Sequence, residues 1–134
     1  MERLKILIVE DAKLIRDRLD SALSKFNESI EIHFSTKMSE AFVGLIDHHP
    51  QVIILDISLP DGNGLRILEK VKMESPNTIV IVLTNFPFPQ VKKKCLQLGA
   101  EYFFSKENEF EEVIKTIESL VQNKKITLER HLEE

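Results

Sequence analysis

Residues 52–64 read V-I-I-L-D-I-S-L-P-D-G-N-G, and the rest of the chain is organised around this stretch. Four consecutive apolar residues, Val52 to Leu55, indicate a short strand that is covered on both faces, as in a parallel sheet. The strand stops at a carboxylate, Asp56, and turn-forming residues follow at once. In an open parallel sheet, the carboxyl ends of the strands form the crevice where ligands bind. Asp56 is therefore the first candidate for chemistry.

Outward from this stretch, the chain alternates between strand-like and helix-like patterns. Apolar runs predict five strands at residues 4–9, 30–34, 52–55, 78–83 and 102–104. A segment with helical periodicity follows each strand, and the last predicted helix covers about residues 107–122. The second strand alternates apolar with polar residues, which indicates an edge strand with one wetter face.

Five strands that alternate with five helices over short connections predict an α/β fold. We expect a doubly wound, five-stranded parallel sheet with right-handed crossovers and helices on both faces. The pattern alone does not give the strand order. An edge position for the second strand agrees with the order 2-1-3-4-5, whose switch point lies between strands one and three. In that order, Glu10, Asp11 and Asp56 meet in one crevice.

Composition limits the classes of protein to which the chain can belong. With 134 residues, 43% hydrophobic residues and a formal net charge of -4, it is a single domain with no positive field for nucleic acid. The single cysteine, Cys95, excludes an intramolecular disulfide. No apolar run reaches the roughly 18 residues that span a bilayer. The first nine residues are too short and too charged for a signal peptide, so we expect a cytoplasmic protein without membrane contact.

Polar or ionisable residues end four of the five predicted strands: Glu10 and Asp11, Asp56, Thr84, and Ser105 and Lys106. Parallel strands bring these groups to one edge of the sheet. Three converging carboxylates repel one another, and a hard divalent cation with oxygen ligands, such as Mg²⁺, relieves that repulsion. With the cation present, Asp56 can act as a nucleophile toward phosphorus, while Lys106 supplies positive charge and Thr84 a hydroxyl donor.

These residues carry a resemblance to a known family. The pair E-D after strand one, the stretch from Val52 to Gly64, V-L-T at strand four and Y-F-F-S-K at strand five resemble the receiver domain of two-component response regulators, of the chemotaxis-receiver type. The resemblance covers about residues 4–122. It implies a flavodoxin-like fold, a receiver domain at residues 1–122, and a charged tail or the start of a linker at residues 123–134.

The resemblance also implies roles for individual residues. Asp56 would be the phosphoacceptor, and Mg²⁺ would be held by Glu10, Asp11, Asp56 and the backbone carbonyl of Ser58. The phosphoryl group would be bound by Thr84 and Lys106. Thr84 would act as a switch together with Phe103, which matches an aromatic position that changes rotamer with phosphorylation.

Two positions depart from the family pattern. Glu107 follows Lys106, where the family usually has a proline, commonly after a cis peptide bond; a cis bond to a non-proline residue costs about 2.5 to 4 kcal/mol. Asn85 follows Thr84, where the family usually has a small residue, and the next residue, Phe86, is also large. We expect the side chains of Asn85 and Phe86 to narrow the access to the phosphoryl site.

The sequence thus predicts a phosphorelay receiver that accepts a phosphoryl group on Asp56 from a sensor histidine kinase or a phosphotransfer protein. It would catalyse only its own phosphorylation and dephosphorylation. The phosphoryl group would switch the binding of an output protein or a second copy at the face formed by helix four, strand five and helix five, where Lys92 to Lys94 offer positive charge.

Three alternatives remain open at this stage. The first is a receiver-like interaction module that works without phosphorylation, which the departures at Asn85 and Glu107 favour. A flavin-binding module of the same topology would place hydroxyls and amides, rather than Glu10 and Asp11, against a phosphate. A phosphohydrolase with an aspartyl-phosphate would require a second acid two residues after Asp56, where Ser58 stands.

Overall fold

The computed structural model describes residues 2–133, and it describes side-chain surroundings for residues 2–124. In this part of the chain, one sheet contains β1 (Leu4–Val9), β2 (Ile30–Ser35), β3 (Val52–Leu55), β4 (Ile79–Thr84) and β5 (Tyr102–Ser105). The helices are α1 (Lys13–Leu23), α2 (Met38–His48), α3 (Leu65–Glu74), α4 (Pro89–Gln97) and α5 (Phe110–Glu133). A 3₁₀ turn at Ser24–Phe26 follows α1, and a small antiparallel hairpin pairs Ser58–Leu59 with Gly62–Asn63.

The five strands of the sheet are parallel and lie in the order β2-β1-β3-β4-β5. This confirms the predicted doubly wound fold, its strand order and the edge position of the second strand. In the register between β1 and β3, Val9 lies opposite Leu55, so both strands end at the same level. At the same carboxyl-terminal edge, Thr84 of β4 lies opposite Ser105 of the next strand, β5. The residues that follow these strands therefore meet at one edge.

The central strands β1, β3 and β4 are mostly apolar because helices cover both faces of the sheet, whereas the edge strand β2 carries Glu31 and His33. In β1, Ile6 and Ile8 pack on the side of α1 and α5, whereas Leu7 and Val9 pack on the side of α2, α3 and α4. All four side chains are almost completely buried. Side chains alternate between the two faces of a strand, so a strand with two buried faces has an unbroken apolar sequence. The first polar residue after each strand then marks the edge of the core.

The hairpin after β3 is fastened to the beginning of α2 by Asp61. The Asp61 carboxylate accepts the backbone N–H of Met38 at 2.7 Å and that of Ser39 at 3.2 Å. These are the first two residues of α2, whose N–H groups have no partner within the helix. The hydrogen bonds from these N–H groups hold the pKa of Asp61 below its usual value. The L-P-D-G-N-G stretch thus provides a cap for a helix that precedes it in the chain.

The last helix differs from its predicted bounds of about residues 107–122. It begins at Phe110, because residues 105–109 form a separate turn, and it continues through residue 133. The predicted boundary after residue 122 is therefore not a helix end. Beyond it, Lys124 Nζ donates to the carbonyl oxygen of Arg3 and to Oε1 of Gln51, both at 3.2 Å. Side chains after residue 124, and residue 134 as a whole, lie outside the described residues.

None of the helices within residues 2–133 has both the length and the apolar character that a bilayer crossing requires.

A charged link holds the amino-terminal ends of β4 and β5 to α3. Lys72 Nζ of α3 donates to both carboxylate oxygens of Glu101 at 2.7 Å and to the carbonyl oxygen of Thr78 at 2.7 Å. Glu101 Oε1 also accepts the backbone N–H of Val80 at 2.9 Å. The Lys72 side chain is only 14% exposed, so its charge depends on these partners.

We predict that Glu101→Ala lowers the free energy of unfolding by about 1 to 3 kcal/mol, because the largely buried Lys72 ammonium loses its carboxylate partner and the Val80 N–H loses its acceptor. The measurement is urea denaturation. Glu74→Ala, which breaks the more exposed i,i+4 pair with Lys70 in the same helix, is the matched control and should cost less than about 0.5 kcal/mol. Equal losses in the two variants would contradict the special role of Glu101.

Candidate functional site

Three carboxylates meet where β1 and β3 end. Oxygens of Glu10, Asp11 and Asp56 all lie within 4.8 Å of one another. Glu10 and Asp56 are buried, at 2% and 4% exposure, whereas Asp11 is exposed and opens the cluster to solvent. The backbone N–H of Asp56 donates to the carbonyl oxygen of Val9 at 2.9 Å, which continues the β1–β3 pairing to the acid itself. The structure therefore brings the three predicted acids together in one crevice.

A buried lysine enters this cluster from the far side of β4. Lys106 follows β5, and its backbone N–H donates to the carbonyl oxygen of Thr84 at 2.9 Å. Its Nζ lies 2.5 Å from Oε1 of Glu10 and 3.2 Å from Oδ2 of Asp56, and the side chain is 5% exposed. One ammonium among three carboxylates leaves a formal excess of two negative charges. That excess matches the charge of one divalent cation with oxygen ligands.

Burial dominates the titration of Glu10. Removal from water raises the pKa of its carboxyl from 4.5 to about 7, and the charge of Asp56 adds to this rise. The hydrogen bonds from Lys106 and from the backbone N–H of Ala12 oppose it without cancelling it. For Lys106, burial acts to lower the pKa, but the hydrogen bond that it donates to Glu10 and the charges of both acids raise the pKa above its usual value. Lys106 therefore stays an ammonium, and Glu10 is the group that exchanges a proton near neutral pH.

Hydrogen bonds from residues nearby in the sequence hold the carboxylates and the backbone of the acid pair in place. Ser58 N–H donates to Oδ1 of Asp56 at 3.0 Å, and Ala12 N–H donates to Oε2 of Glu10 at 3.1 Å. Arg16 Nη1 donates to the carbonyl oxygens of Glu10 at 3.1 Å and Asp11 at 2.7 Å. Sequence reasoning missed Arg16. The available signal was a basic residue in α1, little more than one helical turn after the acid pair.

Gly64 allows the chain to fold back against Asp56. A Cβ at this position would lie 2.6 Å from the Asp56 carbonyl oxygen and 2.7 Å from Cα of Ile57. Both neighbours are backbone atoms, so they cannot rotate away from an added methyl group. The Gly64 N–H donates to the carbonyl oxygen of Ile57 at 2.8 Å, which closes the loop. The D-G-N-G residues thus form the scaffold of the loop that follows Asp56.

Thr84 and Phe103 lie on the far side of Asp56 from β1. Thr84 ends β4 with no exposed surface, and its Oγ1 accepts the backbone N–H of Phe86 at 3.0 Å. Phe103 of β5 is 7% exposed and belongs to the core between the sheet and α2, α3 and α4. Its ring is therefore inward in the unmodified protein.

The large residues that follow Thr84 are exposed to solvent. Asn85 is exposed, and the rings of Phe86 and Phe88 are exposed at 49% and 57% with their centroids 6.3 Å apart. Ser58 is also exposed, in the hairpin that follows Asp56. The roles predicted for the Ser58 carbonyl, Thr84 and Phe103 remain predictions at this point, as does the narrowing of the access by Asn85.

The raised pKa of Glu10 predicts how stability depends on pH in metal-free protein. Between pH 4.5 and about 7, the folded state binds a proton that the unfolded state has released. The free energy of unfolding should therefore fall as pH rises through this interval, by up to about 1.4 kcal/mol per pH unit from this group. The glutamine in Glu10→Gln cannot ionise. The free energy of unfolding of this variant, relative to that of the original protein, should therefore increase as the pH rises.

Urea denaturation with a chelator present, at about pH 5 and about pH 8, measures this difference. Glu28→Gln, which changes an exposed carboxylate outside the cluster, is the control and should keep the original pH dependence. If Glu10→Gln keeps it as well, Glu10 does not titrate in this interval.

Comparison with known proteins agrees with the architecture of the site. The family model of the response regulator receiver domain matches residues 6–118. The sensory transduction protein LytT of Bacillus subtilis is 30% identical over 115 residues, which are 85% of this chain and 46% of LytT. A cyclic di-GMP phosphodiesterase of Thermotoga maritima is 31% identical over 103 residues, which are 75% of this chain and 26% of that protein. The chain thus spans less than half the length of these two curated relatives.

A solved structure gives the same result in three dimensions. The signal receiver domain of a DNA-binding response regulator from Colwellia psychrerythraea 34H superposes with a TM-score of 0.82 and 30% identity, over 89% of this chain and 98% of that one. Receiver domains are, in general, non-enzymatic signalling domains that interact with histidine kinases and output domains. Because the family model matches most of this chain, residues 6–118, the chain belongs to the response regulator receiver domains of two-component signal transduction.

Proposed function

We propose that this receiver accepts a phosphoryl group on Asp56 from a phosphohistidine of a sensor histidine kinase or a phosphotransfer protein, and later loses it by hydrolysis. The observation that carries the proposal is the position of Asp56: a 4%-exposed carboxylate beside two further acids, with a buried ammonium within hydrogen-bond distance. A carboxylate that only ends a strand has no need of a buried lysine.

The transfer is a displacement at phosphorus. A carboxylate oxygen of Asp56 attacks the phosphorus atom, the new P–O bond forms, and the P–N bond to the donor imidazole breaks. The imidazole leaves with the electron pair of that bond and takes up a proton. Lys106 is placed to bind a phosphoryl oxygen, since its Nζ already lies 3.2 Å from Oδ2 of Asp56. In the later hydrolysis, a water oxygen attacks the phosphorus, the P–O bond to Asp56 breaks with its electron pair going to the carboxylate, and the water loses a proton as inorganic phosphate is released.

Thr84 would contribute a hydroxyl donor to the same group. Its Oγ1 accepts the N–H of Phe86. The proton of the Thr84 hydroxyl would be donated to a phosphoryl oxygen, which is a strong acceptor. The domain promotes chemistry only on itself, because the acceptor is its own side chain.

The residues present fit a Mg²⁺ ion. Glu10, Asp11 and Asp56 would hold it together with the backbone carbonyl of Ser58, and oxygens of the three acids already lie within 4.8 Å of one another. When bound, Mg²⁺ would neutralise negative charge on the phosphoryl oxygens. Deprotonation of Glu10 completes the ligand set, so metal affinity and pH are coupled at this site.

We propose that the partner binds at the face formed by α4, β5 and α5, within the proposed receiver domain at residues 1–122. Lys92, Lys93 and Lys94 are exposed on α4 and would favour an acidic surface on an output protein or a second copy. Phe103 lies in β5 beneath this face, and Thr84 precedes the loop that leads into α4. A change at Asp56 would reach the face through these two residues.

A second candidate function is a receiver that binds its partner without phosphorylation. The buried ring of Phe103 favours it, because the unmodified protein already holds this side chain inward at 7% exposure. In that case the partner-binding face would need no chemical trigger. The two functions differ in whether Asp56 can be modified at all.

Incubation with a small phosphodonor such as acetyl phosphate and Mg²⁺, followed by intact-mass measurement, should show the addition of one phosphoryl group. Asp56→Asn should abolish the addition, and so should removal of Mg²⁺ by a chelator. Asp20→Asn, which changes an exposed aspartate on α1, is the control and should leave it intact. Label that persists in Asp56→Asn places the acceptor elsewhere and sinks the assignment.

The output proposal predicts a specific pattern of amide hydrogen exchange. Beryllium fluoride, a mimic of the phosphoryl group, should change the protection of residues 86–115, because Thr84 Oγ1, which accepts the Phe86 N–H, should move toward the mimic when its hydroxyl donates to it. Asp56→Asn should show no change. Changes confined to the loops that carry Glu10, Asp11 and Ser58 would contradict a switch at this face.

A further inference from the structure

The turn that carries Lys106 is closed by hydrogen bonds between its two ends. The N–H of Ser105 donates to Oε1 of Glu109 at 3.1 Å, and the N–H of Glu109 donates to the carbonyl oxygen of Ser105 at 2.9 Å. Ser105 Oγ also accepts the N–H of Asn108 at 3.3 Å. We call these three bonds the 105–109 clasp. Lys106 is the first residue inside it.

Glu109 is suited to this contact by the geometry of the sheet edge. The N–H of Lys106 points toward β4, where it donates to Thr84. In a strand, successive N–H groups point in opposite directions, so the N–H of Ser105 points away from β4 at the free edge of β5. The Glu109 carboxylate satisfies this N–H. Glu109 also directly precedes α5, where partial positive charge of the helix favours an acid.

The clasp fixes the backbone from which the lysine side chain starts. A lysine side chain has four flexible carbon–carbon links, so its ammonium is placed only if its backbone is placed. Lys106 Nζ contacts Glu10 and Asp56 with the side chain 5% exposed. The peptide bonds of the described residues, including the one after Lys106, are trans, and Glu107 has no ring to restrict its backbone. The shape of this turn therefore depends on its hydrogen bonds.

We propose that Ser105 and Glu109 are positioning residues for Lys106. The clasp holds the turn so that the ammonium lies between Glu10 and Asp56, and loosening it slows the reaction at Asp56 without removing a group that touches the phosphoryl donor. The second half of this inference rests on the proposed function, while the first half concerns only where Lys106 lies.

The test compares Glu109→Ala with Glu109→Gln. Alanine removes the acceptor of the Ser105 N–H, whereas the amide oxygen of glutamine keeps one. Glu111→Ala is the matched control: it removes an exposed acid from the first turn of α5 and so makes the same change in charge near the helix end. Ser105→Ala removes only the bond from Asn108 and is the milder variant for the event that Glu109→Ala does not fold.

The first measurement is the NMR signal of the Lys106 ammonium in metal-free protein. A paired and buried ammonium exchanges slowly with water, so the signal should be present in the original protein and in Glu111→Ala. It should broaden or disappear in Glu109→Ala, weaken in Ser105→Ala and return in Glu109→Gln. An unchanged signal in Glu109→Ala, or in Ser105→Ala if the former is unfolded, overturns the proposal.

The second measurement is the rate of phosphorylation by a small donor at saturating Mg²⁺, with Mg²⁺ affinity measured separately. Glu109→Ala should lower the rate about tenfold, since a misplacement of about 1 Å can cost up to about a hundredfold. Its Mg²⁺ affinity should stay within about twofold, because the clasp contains no proposed metal ligand. Equal effects in Glu109→Ala and Glu111→Ala would assign the cause to helix charge and overturn the clasp.

The two measurements separate this proposal from the proposed function. If the original protein is not phosphorylated but its Lys106 signal disappears in Glu109→Ala, the positioning role holds and the phosphoacceptor function fails. If the original protein is phosphorylated and Glu109→Ala reacts at the same rate with the same Lys106 signal, the function holds and the positioning role fails.

Discussion

The ion pair of Lys106 with Glu10 and Asp56 is the interaction on which the rest of the site depends. All three side chains are at most 5% exposed, and buried charges are tolerated only when they are paired. Removal of the ammonium would leave two carboxylates buried against each other, with a third nearby. The contacts of Lys106 therefore do more than place an ammonium beside Asp56. They allow three acids to be brought together in the folded state.

The topology of the sheet makes this pair possible. Lys106 and Asp56 are 50 residues apart, yet only β4 separates the strands that they follow. The parallel register brings the ends of β1 and β3 to the same level, and the N–H of Lys106 continues the pairing of β5 with β4. Helices that cover both faces require apolar central strands, so the polar residues of β3 and β4 lie at the strand ends. The same constraint forms the core and collects the site at one edge.

This constraint also explains how much could be predicted from the sequence. Apolar runs that stop at polar residues predicted the strands, because each signal is local and periodic. The strand order, and with it the acidic crevice, rested on the edge-type pattern of the second strand, which agrees with the observed order but does not require it. Contacts between a side chain and a distant backbone have no such signature. The cap that Asp61 provides for α2 and the Arg16 contacts with two carbonyl oxygens were missed for this reason. The bounds of α5 were wrong because charged residues after 122 resembled a tail, although most of them are compatible with a helix.

The metal-free site retains an electrostatic conflict that the core does not relieve. Lys106 offsets one of three acidic charges, and the remaining repulsion and burial appear in the raised pKa of Glu10. A proton on Glu10 and a divalent cation would relieve the same excess charge, so they compete for one site. Asp11 is exposed, and this gives a cation a path to carboxylates that are otherwise buried. The acidic cluster thus destabilises the metal-free fold, and a bound cation would offset that destabilisation.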